Sequence, residues 1–203
     1  ILCYTIGIDV KGEKMKKDII DTLNKNNGVM KSRQLEDYGF SRTYISNAVD
    51  NGLIVREDRG IYVTKDVLED EMYMFQLKNS KAIFCNNSSL YLWNLTEKIP
   101  DKYDVAVPIN YNPHRIKNIV NVYRVKDEIY ELGIIEKKTP IGMLVKTYDL
   151  EKTLCDIINN KDCMDLETRN KSIREIFQRD DFDIDKMYQY AKTMKIYDKV
   201  SNY

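Results

Sequence analysis

The sequence predicts an α+β protein in two parts: an N-terminal winged helix-turn-helix, then a mixed α+β domain with a helical C-terminus. Three observations predict it. Residues 31–64, KSRQLEDYGFSRTYISNAVDNGLIVREDRGIYVT, read as helix, tight turn, helix and two short strands. Between about 82 and 145 short β-branched and alternating runs prevail. From Asp149 onward apolar residues recur at helical spacing.

Each element follows from local chemistry. Over 15–26, Ile19, Ile20 and Leu23 share a helix face behind Lys14, Lys16 and Lys17, and Gly28 stops the helix. A short helix follows over 32–38, with Ser32 as cap and Leu35 inward. Tyr38-Gly39-Phe40-Ser41 then turns the chain, because glycine takes a left-handed conformation without a Cβ clash and serine caps the next helix. Over 42–51, Ile45, Ala48 and Val49 form the inward stripe, which leaves Arg42, Thr43, Tyr44, Ser46 and Asn47 outside it. Leu53-Ile54-Val55 and Ile61-Tyr62-Val63 read as hairpin strands whose tip, 56–60, carries Arg56 and Arg59 beside Glu57 and Asp58. Residues 67–79 read as a connecting helix between a domain over 15–66 and one over 80–203, and residues 1–14 as an extension or arm.

In the second domain Ala82-Ile83-Phe84 predicts a strand and 88–95 a helix with Leu90, Leu92, Trp93 and Leu95 inward. Strands are expected over 103–107, 119–125, 134–135 and 143–145, and helices over 150–160, 166–178 and 183–194.

With 32 Lys+Arg against 32 Asp+Glu in 203 residues, no overall field advertises nucleic acid, so DNA binding must rest on local patches. Cys3, Cys85, Cys155 and Cys163 form no CxxC pair and His114 stands alone, which excludes the usual zinc spacings and suits reduced thiols in a cytoplasmic protein. No apolar run is long enough for a membrane span, and the first residues lack the basic stretch of a secretory signal. No GxGxxG, P-loop or GxSxG motif is present, so no cofactor, metal or catalytic residue is expected. Thr153 and Asp156, three apart on one helix, read as capping or packing groups.

The 42–51 helix has the composition of a recognition helix. Arg42 suits guanine, Asn47 suits adenine, and Thr43, Tyr44 and Ser46 lie beside them to reach bases or phosphates. Lys16, Lys17, Lys31, Arg33, Arg56 and Arg59 are candidates for phosphate or minor-groove contact. A solvated charged surface is the bland alternative for each.

Three segments together resemble the AbiEi antitoxins of abortive-infection toxin-antitoxin systems. They are Arg59-Gly60-Ile61-Tyr62 at the end of the winged unit, Ser89-Leu90-Tyr91-Leu92-Trp93-Asn94-Leu95-Thr96-Glu97-Lys98-Ile99-Pro100, and Glu151-Lys152-Thr153-Leu154-Cys155-Asp156. The resemblance extends over about 15–194. It implies a bacterial antitoxin, not an enzyme, that represses its own operon by binding inverted repeats in double-stranded promoter DNA. Its cognate toxin would be of nucleotidyltransferase type, opposed with or without direct contact, and promoter binding would be by cooperative monomers or a weak dimer. Antitoxicity would then reside in the second domain, where Arg115, Lys117, Lys137, Lys138, Lys146, Arg169, Lys171 and Arg174 are candidate basic contacts or simply scattered solvated charges. The competing reading is a plain transcriptional regulator whose C-terminal domain senses a ligand or protein.

Overall fold

The computed structural model describes the backbone of residues 10–203 and the side chains from Asp18 onward. The expectations for Lys14, Lys16 and Lys17 side chains, and for the first nine residues, lie outside what is described. The chain divides into two compact units after Glu69. The fold is mixed α+β.

In the first unit, α1 (Val10–Lys25) is followed by β1 (Val29–Lys31), α2 (Ser32–Asp37), α3 (Arg42–Asp50), β2 (Val55–Asp58) and β3 (Ile61–Val63). The strands form an antiparallel sheet in the order β1-β3-β2. Ile19, Leu23, Met30, Leu35, Phe40, Ile45, Ala48 and Ile54 make one buried cluster, so each helix contributes the apolar stripe its spacing dictates. Helix α1 begins five residues before the expected Met15, so the boundary drawn after residue 14 falls inside a helix. Strand β1 was too short to show as a pattern. The hairpin also differs from expectation: the amides of Leu53 and Ile54 close α3 by donating to the Ala48 carbonyl (2.8 and 3.4 Å), so β2 starts only at Val55. Ser32 is the first helical residue of α2 rather than its cap; Lys31 holds the cap position, its N–H donating to the Gln34 side chain at 2.8 Å.

In the second unit the elements are α4 (Glu71–Lys78), β4 (Ile83–Phe84), α5 (Asn86–Leu92), β5 (Asp104–Pro108), β6 (Asn121–Val125), α6 (Asp127–Tyr130), β7 (Ile134–Lys138), β8 (Leu144–Tyr148), α7 (Leu150–Asn159), α8 (Leu166–Phe177), α9 (Ile184–Thr193) and α10 (Tyr197–Val200). The sheet order is β6-β5-β4-β8-β7; β4 pairs parallel with β8 and β5 with β6, while the other neighbours are antiparallel. Alternation along β4 and β5 sends Phe84, Val105 and Val107 into a cluster with Met72, and Ile83 and Ala106 into another with Tyr130 and Tyr148. A third cluster joins α5, α7, α8, α9 and α10, and α7 is buried from Leu150 through Ile158.

The helix expected over 67–79 forms only from Glu71, where Asp70 caps it by accepting the Tyr73 N–H at 3.0 Å, and its Met72 belongs to the second unit's core. The 119–125 run becomes strand only at Asn121, because the Ile119 and Val120 amides are bound to the Ile116 carbonyl in a turn.

Helix α8 supplies a pH-dependent test. Asp165 accepts from the Thr168 N–H and hydroxyl, both at 2.8 Å, and these bonds hold its carboxyl below the usual range. A depressed carboxylate adds stability above its unfolded pKa of about 3.9, and that stability is lost as pH falls through the folded value. Asp165→Asn should therefore flatten the acid limb of a urea-unfolding series run from about pH 6 to about pH 2.

Candidate nucleic-acid interface

Helices α2 and α3 are joined by a turn that sequence and backbone explain together. The Phe40 N–H returns to the Leu35 carbonyl at 3.1 Å, and Gly39, at φ +95°, makes the left-handed step. Ser41 then caps α3, its hydroxyl accepting the Tyr44 N–H at 3.2 Å. With Ile45 and Ala48 buried, Arg42, Thr43, Ser46 and Asn47 are exposed along the N-terminal part of α3. These are four of the residues the sequence singled out for base contact.

Tyr44 is different. Its ring stacks on Phe40 (centroids 5.8 Å apart, planes 18° apart), and its hydroxyl is buried without a hydrogen-bond partner among the described residues. Burial and the nearby Asp18 raise its pKa. Tyr44 is thus a packing residue at the edge of the core, not a group that reaches out. A buried unsatisfied hydroxyl costs about 1–3 kcal/mol, so Tyr44→Phe should leave thermal stability unchanged or raise it, with DNA affinity unaltered. A lowered melting temperature would show that the hydroxyl has a partner in solution.

Arg42 is not a free cation. Its Nε donates to Glu36 Oε1 at 2.8 Å and its Nη2 to Glu36 Oε2 at 3.4 Å, although its side chain remains 85% exposed. Arg42, followed by Arg33, holds the Glu36 carboxyl below the usual carboxylate range. Sequence reading passed over Glu36; the signal was its place six residues before Arg42, across a four-residue turn.

In the hairpin, Arg56 lies within β2 opposite Tyr62, and a bulge separates it from Asp58. Only Arg59 is at the tip, followed by Gly60. The expectation of two tip arginines is corrected accordingly, because the late start of β2 draws Arg56 into the strand. Both arginines are exposed, as is Arg33, and Lys31 is half-buried. The Ser32 N–H donates to the Gly60 carbonyl at 2.9 Å, which ties the hairpin turn to the start of α2.

The second-unit candidates do not act alike. Arg115, Lys117, Lys138, Lys146 and Arg174 are exposed, and Lys171 pairs with Glu175 at 3.8 Å. Lys137 is half-buried with its ammonium 3.6 Å from the Trp93 ring centroid; burial, then Arg179, lowers its pKa. Arg169 is buried and reaches the Lys161 carbonyl at 3.4 Å, with its Nε unpartnered among the described residues, so it is an interior group rather than a surface cation.

The two second-unit segments singled out in the sequence meet in the interior. The Ser89 and Thr153 hydroxyls are 2.7 Å apart, Thr147 donates to Ser89 at 3.1 Å, and the Trp93 indole donates to the Tyr148 carbonyl at 2.9 Å. Lys152, 1% exposed, lies 4.4 Å from the Tyr148 ring centroid and pairs with Asp156 at 2.6 Å. Asp149 caps α7 by accepting the Lys152 N–H at 2.9 Å. These segments therefore hold the unit together. Burial pushes the Cys155 and Cys163 thiols up to about 12, which leaves both protonated near neutral pH. A cleft of about 440 Å³ in this unit is lined by Asn87, Lys98, Lys102, Asp104 and Asn121. Among the described residues no helix is long and apolar enough to cross a membrane.

The first unit is thus a three-helix unit with an exposed face on the second helix of a helix-turn pair and a β-hairpin beside it. Residues 18–65 match the family described as transcriptional regulator, AbiEi antitoxin. No curated protein matches the chain. Among solved structures, the RV2827C protein from Mycobacterium tuberculosis aligns over 92% of this chain and 77% of its own, at 13% identity and a TM-score of 0.45.

Proposed function

We propose that this protein is a DNA-binding antitoxin that represses its own operon, with the winged helix-turn-helix over 15–66 as the promoter reader and the 80–203 region as the carrier of antitoxicity. The observation that carries the reading is the exposed N-terminal face of α3, where Arg42, Thr43, Ser46 and Asn47 project away from the core of a unit that matches the AbiEi regulators. A helix enters the major groove by that end, and arginine and asparagine are the side chains that read guanine and adenine there. Arg59 at the hairpin turn, with Arg33 and Arg56, supplies phosphate contacts. Paired half-sites are filled by two copies, as cooperative monomers or a weak dimer, and the opposed toxin is of nucleotidyltransferase type.

The test uses the full chain. Arg42→Ala with Asn47→Ala should abolish repression of the protein's own promoter while leaving protection of cells from the cognate toxin intact. Loss of both activities, or of neither, would overturn the division of labour. Arg59→Ala should lower the slope of log affinity against log salt by about one, the value for one phosphate contact.

A plain regulator with a sensing domain is the second reading, favoured by the polar cleft around Asp104. A cognate toxin that remains lethal in the presence of this protein would select it.

A further inference from the structure

Arginine presents two edges to a planar acceptor pair: a side edge, Nε with Nη2, and an end edge, Nη1 with Nη2. Glu36 occupies the side edge of Arg42, at 2.8 and 3.4 Å. The end edge has no hydrogen-bond partner among the described residues, on a side chain that is 85% exposed. Guanine offers O6 and N7 as a matching acceptor pair in the major groove. We propose that Glu36 is a positioning residue that fixes Arg42 in one rotamer with its end edge toward guanine, and so sets base selectivity at one position of the operator; this rests on the DNA-reading role proposed above.

Three physical consequences follow from a carboxylate in that place. First, it orders a long, flexible side chain before DNA arrives, so less freedom is lost on binding. Second, its charge offsets that of Arg42 and repels the phosphate backbone, which lowers sequence-independent affinity. An arginine alone would settle on any phosphate; an arginine held by a carboxylate is directed to a base. Discrimination is gained by penalising the wrong contact as well as by rewarding the right one. Third, the pair spans the turn from α2, where Glu36 resides, to the first helical residue of α3, so reader and holder are linked directly across that turn. Glu36 carries an ionised carboxylate at neutral pH, since Arg42 draws its pKa down.

A merely structural ion pair would show itself in stability, whereas a positioning role shows itself in selectivity. The experiment is selection of binding sites from a randomised duplex library by the full-length protein and its Glu36→Gln and Arg42→Ala variants, with thermal melts of each. The wild type should enrich a site with a fixed guanine preferred by about tenfold or more, as one bidentate contact provides. Arg42→Ala should erase that preference and Glu36→Gln should reduce it several-fold, with the other positions of the site retained. Glu36→Gln should also bind non-specific DNA more tightly, with a salt slope steeper by up to about one, and should melt at an unchanged temperature. If Glu36→Gln keeps the full guanine preference, or lowers it only together with the melting temperature, the positioning role is overturned. If Arg42→Ala leaves the selected site unchanged, Arg42 is not the reader and the inference falls while DNA reading stands. If the wild type enriches no sequence, DNA reading falls and takes the inference with it.

Discussion

Replacing Asp156 by asparagine is expected to lower the unfolding free energy of the second unit by about 3–5 kcal/mol, because it strands the Lys152 ammonium in the interior. Lys152 is 1% exposed and its ammonium lies 2.6 and 2.7 Å from the two Asp156 carboxylate oxygens. Burial nevertheless raises the Asp156 carboxyl above the usual range, against the lowering pull of Lys152. The cost of taking the Asp156 charge out of water thus outweighs the attraction of Lys152. The sign for pH follows: a raised carboxyl contributes stability below its unfolded value of about 3.9 and loses it as pH rises through the folded value, so Asp156 does not drive acid unfolding. Replacing both partners, Lys152→Met with Asp156→Leu, should recover most of the loss. The measurement is urea unfolding followed by Trp93, the chain's single tryptophan, which lies in this unit and donates to Tyr148. A loss below about 1 kcal/mol for Asp156→Asn would mean that water reaches Lys152.

Gly133→Ala is expected to cost about 2–4 kcal/mol, combining left-handed backbone strain with a collision and a damaged helix cap. Gly133 has φ +66°, and a Cβ there would fall 2.5–2.6 Å from the carboxylate atoms of Asp149. That carboxylate is committed three times: it caps α7, pairs with Lys186 at 2.9 Å and accepts from Tyr190 at 3.2 Å. It has little room to yield. Gly142→Ala provides the comparison, since φ there is +100° but a Cβ would meet nothing within 4 Å. The difference between the two variants in the same urea titration isolates the collision; equal losses would show that Asp149 moves aside freely.

The N-terminal unit was largely legible because its information is local. Ile19, Leu23, Leu35, Ile45 and Ala48 repeat at helical spacing, Gly39 and Ser41 mark the turn, and Asn51-Gly52 marks the end of α3; all are short-range rules of backbone and cap. The four exposed residues of α3 followed from the same periodicity, since whatever is not in the stripe faces away. Tyr44 was misjudged because an aromatic ring one position before the stripe can fold back onto Phe40, a contact that depends on where the turn brings Phe40. Arg56 was misplaced because the Ala48 carbonyl takes the Leu53 and Ile54 amides, and one hydrogen-bond choice shifts where the strand begins.

In the second unit, element types were readable and their pairing was not. Nothing in 82–148 announces that β4 runs parallel to β8, with Phe84 paired to Thr147 63 residues on, or that Ser89 meets Thr153. Strand pairing is a long-range choice made by side-chain burial on two faces at once, and no local pattern encodes it. By itself, the sequence determined the α+β class, the turn that joins α2 to α3 and the outward face of α3, because period and caps are properties of neighbouring residues. Only the tertiary structure decided that Arg169 is interior, that the Glu151–Asp156 helix is a buried strut, and that Glu36 holds Arg42, because each depends on which distant groups burial brings within hydrogen-bond reach.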